Sequence, residues 1–176
     1  MGKFLTAHSR LQQLDIPGKW KTVDNQIYEN DFGQLFLCPR NTITDGYTIP
    51  SIFSVIAGDK MKWDTRASSQ HDFECLYHKY IQILLTGKEL SNMGILHSLD
   101  SMVVCEDIPK EYLMIRETTF NETNTRFLNM LQSFQTIPKW RAKLMGYAVN
   151  LNAGWVMKPH HYDRNMIYLT DYSVLG

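Results

Sequence analysis

Residues 26–37 have the sequence QIYENDFGQLFL and decide the first element of the fold. Two short β-prone runs flank the Asn-Asp-Phe-Gly segment at 30–33, whose residue types favour a tight turn. We therefore predict a β-hairpin here. Pro39 ends the second strand, because proline lacks the backbone N–H that a β-ladder needs. Residues 41–51 are rich in Thr, Gly and Pro, and they predict a shaped loop.

The next segment predicts a long helix that begins near Asp64 and Thr65, which are good N-cap residues, and runs to about Leu85. Gly87 is a suitable C-cap. Helical spacing predicts one apolar stripe, formed by Phe73, Leu76, Tyr77, Tyr80 and Leu84. The same spacing predicts that a different face of the helix is formed by His71, Cys75, His78 and Gln82. We expect the apolar stripe to face the core and the second face to meet solvent or line a cleft.

Farther along, residues 102–105 predict a buried strand, and residues 108–116 predict a short helix. A third helix is expected from about Glu122 and a fourth from Pro138, because proline suits a first helical turn. The predicted buried face of the third helix is Phe127, Met130, Leu131 and Phe134. The predicted buried face of the fourth is Trp140, Leu144, Tyr147, Ala148, Leu151 and Trp155. Residues 166–169 predict a strand that adds to a sheet edge.

These patterns predict an α+β fold, in which a short N-terminal β-hairpin and a shaped loop precede a mainly helical core of three to four helices. The 176 residues fit a single domain. We divide it into an N-terminal segment (1–25), a core (26–155) and a C-terminal tail (156–176). The tail is a possible edge strand or docking segment.

Composition excludes several classes of protein. Hydrophobic residues make up 44% of the chain and charged residues 20%, values that are ordinary for a folded protein. The 18 basic and 18 acidic residues cancel, so we expect no nucleic-acid partner, although a local basic patch is still compatible with this balance. Three widely spaced cysteines do not form a disulfide framework. The sequence predicts no signal peptide and no transmembrane segment.

Three segments have a more specific chemistry than packing requires. They are PRNTITDGYTIP at 39–50, the pair His71-Asp72, and Asn124 placed three residues before Phe127. Together they resemble the motifs of an uncharacterised family of small proteins from tailed bacteriophages, with the pattern T-D-G-x-S/T-I-P, then H-D, then D/N-x-x-F. This chain departs from the family's pattern at 42–43. It also has Cys75 where the family has tyrosine, and Asn124 where the family has aspartate.

The resemblance implies a phage gene close to virion genes, and no activity is established for that family. It favours a non-catalytic structural or assembly protein of the tail, neck or baseplate, present in several copies beside other virion proteins. Such a protein is made in the host cytoplasm and ends in the virion. No cofactor is implied.

The order of the motifs also looks like that of the phospholipases A2, a more distant family. In that interpretation His71 is the general base and Asn124 holds its imidazole. Asp72 is a calcium ligand, and Asp45 is a candidate loop ligand. Calcium would then stabilise the ester oxyanion. The implied activity is a calcium-dependent esterase.

Structural interpretations compete with both hypotheses. In one of them Asp45 and Gly46 form a simple turn, and Thr48, Ile49 and Pro50 only cap the next element. His71 is then a satisfied core histidine. A zinc site formed by His71, Cys75, His78 and Asp45 has allowed spacing but no other support. A third functional hypothesis is a phage protein that binds and inhibits a host protein.

Overall fold

The computed structural model describes residues 2–7, 10–44, 64–134 and 137–156, with side chains as far as Val149 in the last range. The described residues form ten strands and four α-helices, which confirms the predicted α+β class. The centre of the fold is a five-stranded antiparallel sheet with the order β1-β4-β5-β7-β10. The sequence predicted only two of these five strands, those of the hairpin at 26–37.

The strands are β1 (Lys3–Phe4), β2 (Leu11–Gln13), β3 (Trp20–Thr22), β4 (Gln26–Glu29), β5 (Leu35–Cys38), β6 (Ile43–Thr44), β7 (Lys79–Ile83), β8 (Leu96–Leu99), β9 (Met102–Cys105) and β10 (Leu113–Glu117). The helices are α1 (Arg66–Tyr77), α2 (Gly87–Asn92), α3 (Phe120–Ser133) and α4 (Lys139–Val156), and a 3-10 turn spans Lys110–Tyr112. Beside the central sheet, β2-β3-β6 form a three-stranded sheet and β8-β9 a hairpin.

The predicted hairpin is confirmed as β4–β5. The side-chain Oδ1 of Asn30 accepts hydrogen bonds from the backbone N–H groups of Phe32 and Gln34, both at 2.9 Å. Gly33 has a φ of 76°, a left-handed conformation that a residue with a Cβ rarely adopts. The turn is therefore stabilised by contacts among its own residues.

The predicted first helix is wrong at its C-terminal end. The helix stops at Tyr77, His78 takes a left-handed φ of 52°, and the chain continues directly into β7. Ile81 and Ile83 alternate with polar residues and are both buried against the sheet core. Burial of these two β-branched side chains on one face of a strand is more favourable than continuing the helix. Leu84, which belonged to the predicted apolar helical stripe, is 54% exposed.

The central sheet has a hydrophobic cluster on each face. On one face Ile27, Leu37 and Ile81 pack with residues of α2, β8 and β9. On the other, Tyr28 and Phe36 pack with α3 and α4. The β8–β9 hairpin and α4 therefore lie on opposite sides of the same sheet.

The rest of the chain matches the predictions in part. The strand at 102–105 is confirmed as β9, and the predicted third and fourth helices are found as α3 and α4. Only a 3-10 turn and then β10 occupy the place of the predicted helix at 108–116. The Thr119 hydroxyl and the Glu122 carboxylate form a capping box, which starts α3 two residues earlier than predicted.

The buried face predicted for α4 is also wrong in part. Trp140 is 58% exposed and Tyr147 is 66% exposed. Ala148 is buried as predicted, and Ala142 and Met145, which were not predicted, also face the core. Gly146 packs against the side chain of Leu128, so small residues allow α4 to approach α3 closely. The predicted edge strand at 166–169 lies outside the described residues. In the part of the chain that the structure describes, no helix has both the length and the hydropathy needed to cross a bilayer.

Candidate functional site

Helix α1 presents His71 and Asp72 between β6 and α3, against which it packs. Its buried face is unusually polar near the start, because Ser68 and Ser69 are both buried. Their hydroxyls donate to the backbone carbonyl of Thr65 at 2.8 and 3.0 Å, so they need no other partner. Small side chains at these positions let α1 lie close to its neighbours.

His71 and Asn124 meet, as the motif pattern predicted. His71 Nε2 lies 2.9 Å from Asn124 Oδ1. The ring of Phe127 lies beside the imidazole, with 4.7 Å between ring centroids. Residues three apart share one face of a helix, so the N-x-x-F spacing brings an amide and an aromatic ring to the same histidine.

Asp72 connects the same site to the end of β6. The Thr44 hydroxyl donates to Asp72 Oδ2 at 2.5 Å, and Asp72 Oδ1 lies 3.8 Å from His71 Nδ1. Thr44 belongs to the T-D-G motif, so the structure brings the described parts of all three motifs together. Asp45, Gly46 and Pro50 lie outside the described residues, and their predicted roles as ligand and turn stay predictions.

Cys75 lies one turn after His71 on α1. Its Sγ is 3.5 Å from His71 Nε2 and 3.8 Å from Nδ1. Both distances are within contact range for sulfur, so the thiol packs against the imidazole ring.

The surroundings of His71 favour its charged form. Burial by itself disfavours the imidazolium, but the Asp72 carboxylate and the Cys75 sulfur outweigh it and raise the pKa of His71 well above the usual value of 6.5. The side chain is 15% exposed, so solvent screens the pair only weakly. The carboxylate and the sulfur thus favour the imidazolium over the neutral ring.

The described residues fit a divalent cation poorly. Calcium takes six to eight oxygen ligands, several of them anionic. Asp72 is the carboxylate that faces His71, whose Nδ1 lies 3.8 Å from Asp72 Oδ1 and whose charged form is favoured there. The described residues contain no group of three or more His, Cys, Asp or Glu side chains close enough to hold a metal ion. His78, one of the predicted zinc ligands, follows the end of α1.

The patterns missed a second polar contact between the same helices. Glu74 is fully buried, and Arg126 donates to its carboxylate through Nε at 2.9 Å and Nη2 at 2.7 Å. Gln70 Nε2 donates to the other oxygen at 3.0 Å. The Arg126 guanidinium also lies over the ring of Tyr80, 4.5 Å from its centroid. The only sequence signal was a glutamate and an arginine on two helices that were not yet known to touch.

The motif cluster thus joins β6, α1 and α3 through side chains that already have partners. No protein-family model matches the chain, and no curated protein sequence or solved structure is significantly similar to it.

Proposed function

We propose that this protein is a non-catalytic structural or assembly component of a tailed-phage virion, in the tail, neck or baseplate. The observation that supports this most is the way His71 and Asp72 are used. One ring nitrogen contacts Asn124, the other faces Asp72, and Asp72 accepts from Thr44. This arrangement holds three elements together and favours the imidazolium, which has no lone pair for base catalysis.

The argument does not depend on how the Asn124 amide is oriented. If its oxygen faces His71, Nε2 is a donor; if its NH₂ group does, the Nε2 lone pair accepts that hydrogen bond. In both cases Nε2 is engaged. The motif resemblance then supplies the phage setting, and multiple copies follow from the repetitive construction of virions.

Mass spectrometry of gradient-purified particles tests the proposal. The phage whose genome encodes the chain should be compared with a deletion complemented in trans by the wild type or by His71→Gln. We expect the protein in purified particles at a constant ratio to the other virion proteins. Particles that are infectious and complete without it would contradict the proposal.

A calcium-dependent esterase is the second candidate, and one contact favours it. The Asn124 side chain fixes the His71 ring through Nε2 and leaves Nδ1 on the side of Asp72. A general base needs such an orienting group, but it also needs a neutral imidazole. The raised pKa of His71 opposes this role.

An assay on mixed phospholipid–detergent micelles, with calcium or with a chelator, separates the two candidates. We expect no hydrolysis above the level of His71→Gln. Calcium-dependent turnover that His71→Gln abolishes and Cys75→Ala retains would establish the esterase and end the non-catalytic proposal.

A further inference from the structure

Charge is distributed unevenly along the chain, although the total is zero. Residues 1–122 have twelve basic and sixteen acidic side chains, whereas residues 123–176 have six basic and two acidic ones. Such asymmetry favours association through oppositely charged surfaces. In this chain the acidic excess and the basic excess lie in different parts of the same molecule.

The basic part is exposed on α4. Lys139, Trp140, Lys143 and Tyr147 lie on its solvent side, and we call them the basic aromatic face. The Arg141 guanidinium lies 5.3 Å from the centroid of the Trp140 ring. Cations in the first turn of a helix are opposed by the helix dipole, and α4 contains no acidic residue to offset them. Their presence there favours an anionic partner.

A surface of complementary character lies on the β8–β9 hairpin. Leu99 and Met102 are directly opposite each other in the register, and they are 52% and 40% exposed. Glu106 follows Met102 on the same side of the strand, and Asp100 is in the turn. Asp100 and Ser101 both have positive φ, which defines the tip as a tight turn. We call Leu99, Asp100, Met102 and Glu106 the acidic apolar face.

We propose that the basic aromatic face of one copy docks onto the acidic apolar face of a second copy. This inference deepens the proposed function, because it names the partner that a multi-copy virion protein would have. Each face combines two exposed large apolar side chains with charges of one sign, and the signs are opposite. Aromatic anchors flanked by complementary charges are typical of specific protein interfaces.

The positions of the two faces set the symmetry. The acidic apolar face is on the side of the sheet covered by α2, β8 and β9, and the basic aromatic face is on the side covered by α3 and α4. The contact therefore joins two different surfaces. A contact of this kind leaves one free face at each end of a pair, so it builds a ring or a filament rather than a closed dimer.

Sedimentation velocity of two face variants tests the proposal. Trp140→Ala with Lys143→Ser alters the basic aromatic face, and Leu99→Ser with Glu106→Gln alters the acidic apolar face. We expect the wild type to form species larger than dimers as its concentration rises by about a hundredfold, by mass action. We expect each variant alone to stay monomeric, and a mixture of the two to stop at dimers, because each supplies one intact face.

Phe32→Ser is the matched control, since Phe32 is 88% exposed on the β4–β5 turn and belongs to neither face. It should associate like the wild type. Raising the salt concentration should weaken wild-type association, which tests the charge contribution without any substitution. A wild type that is monomeric at every concentration, variants that still associate alone, or association that appears only with a single-stranded oligonucleotide would each overturn the inference.

The result is independent of the particle test. A monomeric chain found in particles would remove this inference and keep the proposed function. A chain that associates in solution but is missing from particles would remove the proposed function and keep this inference.

Discussion

At the level of single residues, His71 is the side chain on which the site depends. Its ring contacts Asn124, Phe127 and Cys75, and it faces Asp72. These neighbours come from two helices, and they hold the ring in a single orientation. Its charged state therefore has consequences for folding as well as for chemistry.

Stability should depend on pH through His71. Its pKa is higher in the folded chain than in the unfolded one, so the stabilisation is fully present below about pH 6.5 and is lost as the pH rises through the folded value. We expect the free energy of unfolding to fall above pH 6.5 by up to about 1.4 kcal/mol per pH unit. Urea unfolding monitored by circular dichroism measures this slope.

Two variants control for other titrating groups. His71→Gln should remove the slope, and His97→Gln, on the half-exposed β8–β9 hairpin, should retain it. A slope that is unchanged in His71→Gln would show that another group causes it.

The three cysteines should differ in reactivity. Burial raises the pKa of Cys38 and of Cys105 to about 12, so both remain protonated thiols at neutral pH. Cys75 is only half-buried. We expect a thiol reagent at neutral pH to label Cys75 in the native protein and all three thiols after unfolding, as mass spectrometry of tryptic peptides will show. Equal labelling of Cys38 in the native state would contradict this.

At the level of elements, the buried Glu74–Arg126 pair joins α1 to α3. Removal of one partner leaves the other charge buried, which costs about 3–5 kcal/mol. We expect Glu74→Met and Arg126→Met each to destabilise the fold by roughly this amount, whereas the double variant should cost less than either single change. Chemical denaturation of the four proteins gives the coupling energy. Additive effects would mean that the pair does not act as a unit.

Elements defined by local chemistry were predictable from the sequence. The β4–β5 turn depends on Asn30 and Gly33, which are its own residues, and it was predicted. The capping box of α3 is equally local, but the prediction missed it and began the helix at Glu122. The end of α1 was not predictable, because Tyr80 and Leu84 continue the helical period while Ile81 and Ile83 fit a strand. Only the sheet that receives Ile81 decides between them.

The same distinction applies to the site and to α4. The contact between His71 and Asn124 followed from motif order, since both motifs lie on helices. Glu74 was missed because a charged residue on a helix is usually solvated. Trp140 and Tyr147 were predicted to be buried because apolar character alone does not identify which of two helix faces meets the core. The small residues Ala142 and Ala148 allow closer packing and face inward.

At the level of the whole molecule, burial is graded from the centre of the sheet outward. All four residues of β5 are buried, and β5 is paired on both sides, with β4 and β7. By contrast, β2 is short and mostly exposed. We expect the amides of β5 to exchange only through global unfolding and those of β2 through local opening.

Hydrogen exchange followed by mass spectrometry at several denaturant concentrations measures this difference. Exchange of β5 should accelerate with denaturant in step with global unfolding, and exchange of β2 should be nearly independent of it. Identical denaturant dependence for both strands would show that the protein opens as one unit.

The junction at His78 has an engineering consequence. A single left-handed residue separates the last turn of α1 from the first pair of β7, so the chain has no slack there. An inserted tag would have to displace either a motif-bearing helix or a central strand. The β4–β5 turn, whose Phe32 points into solvent, is the better location for a fluorophore or an affinity label.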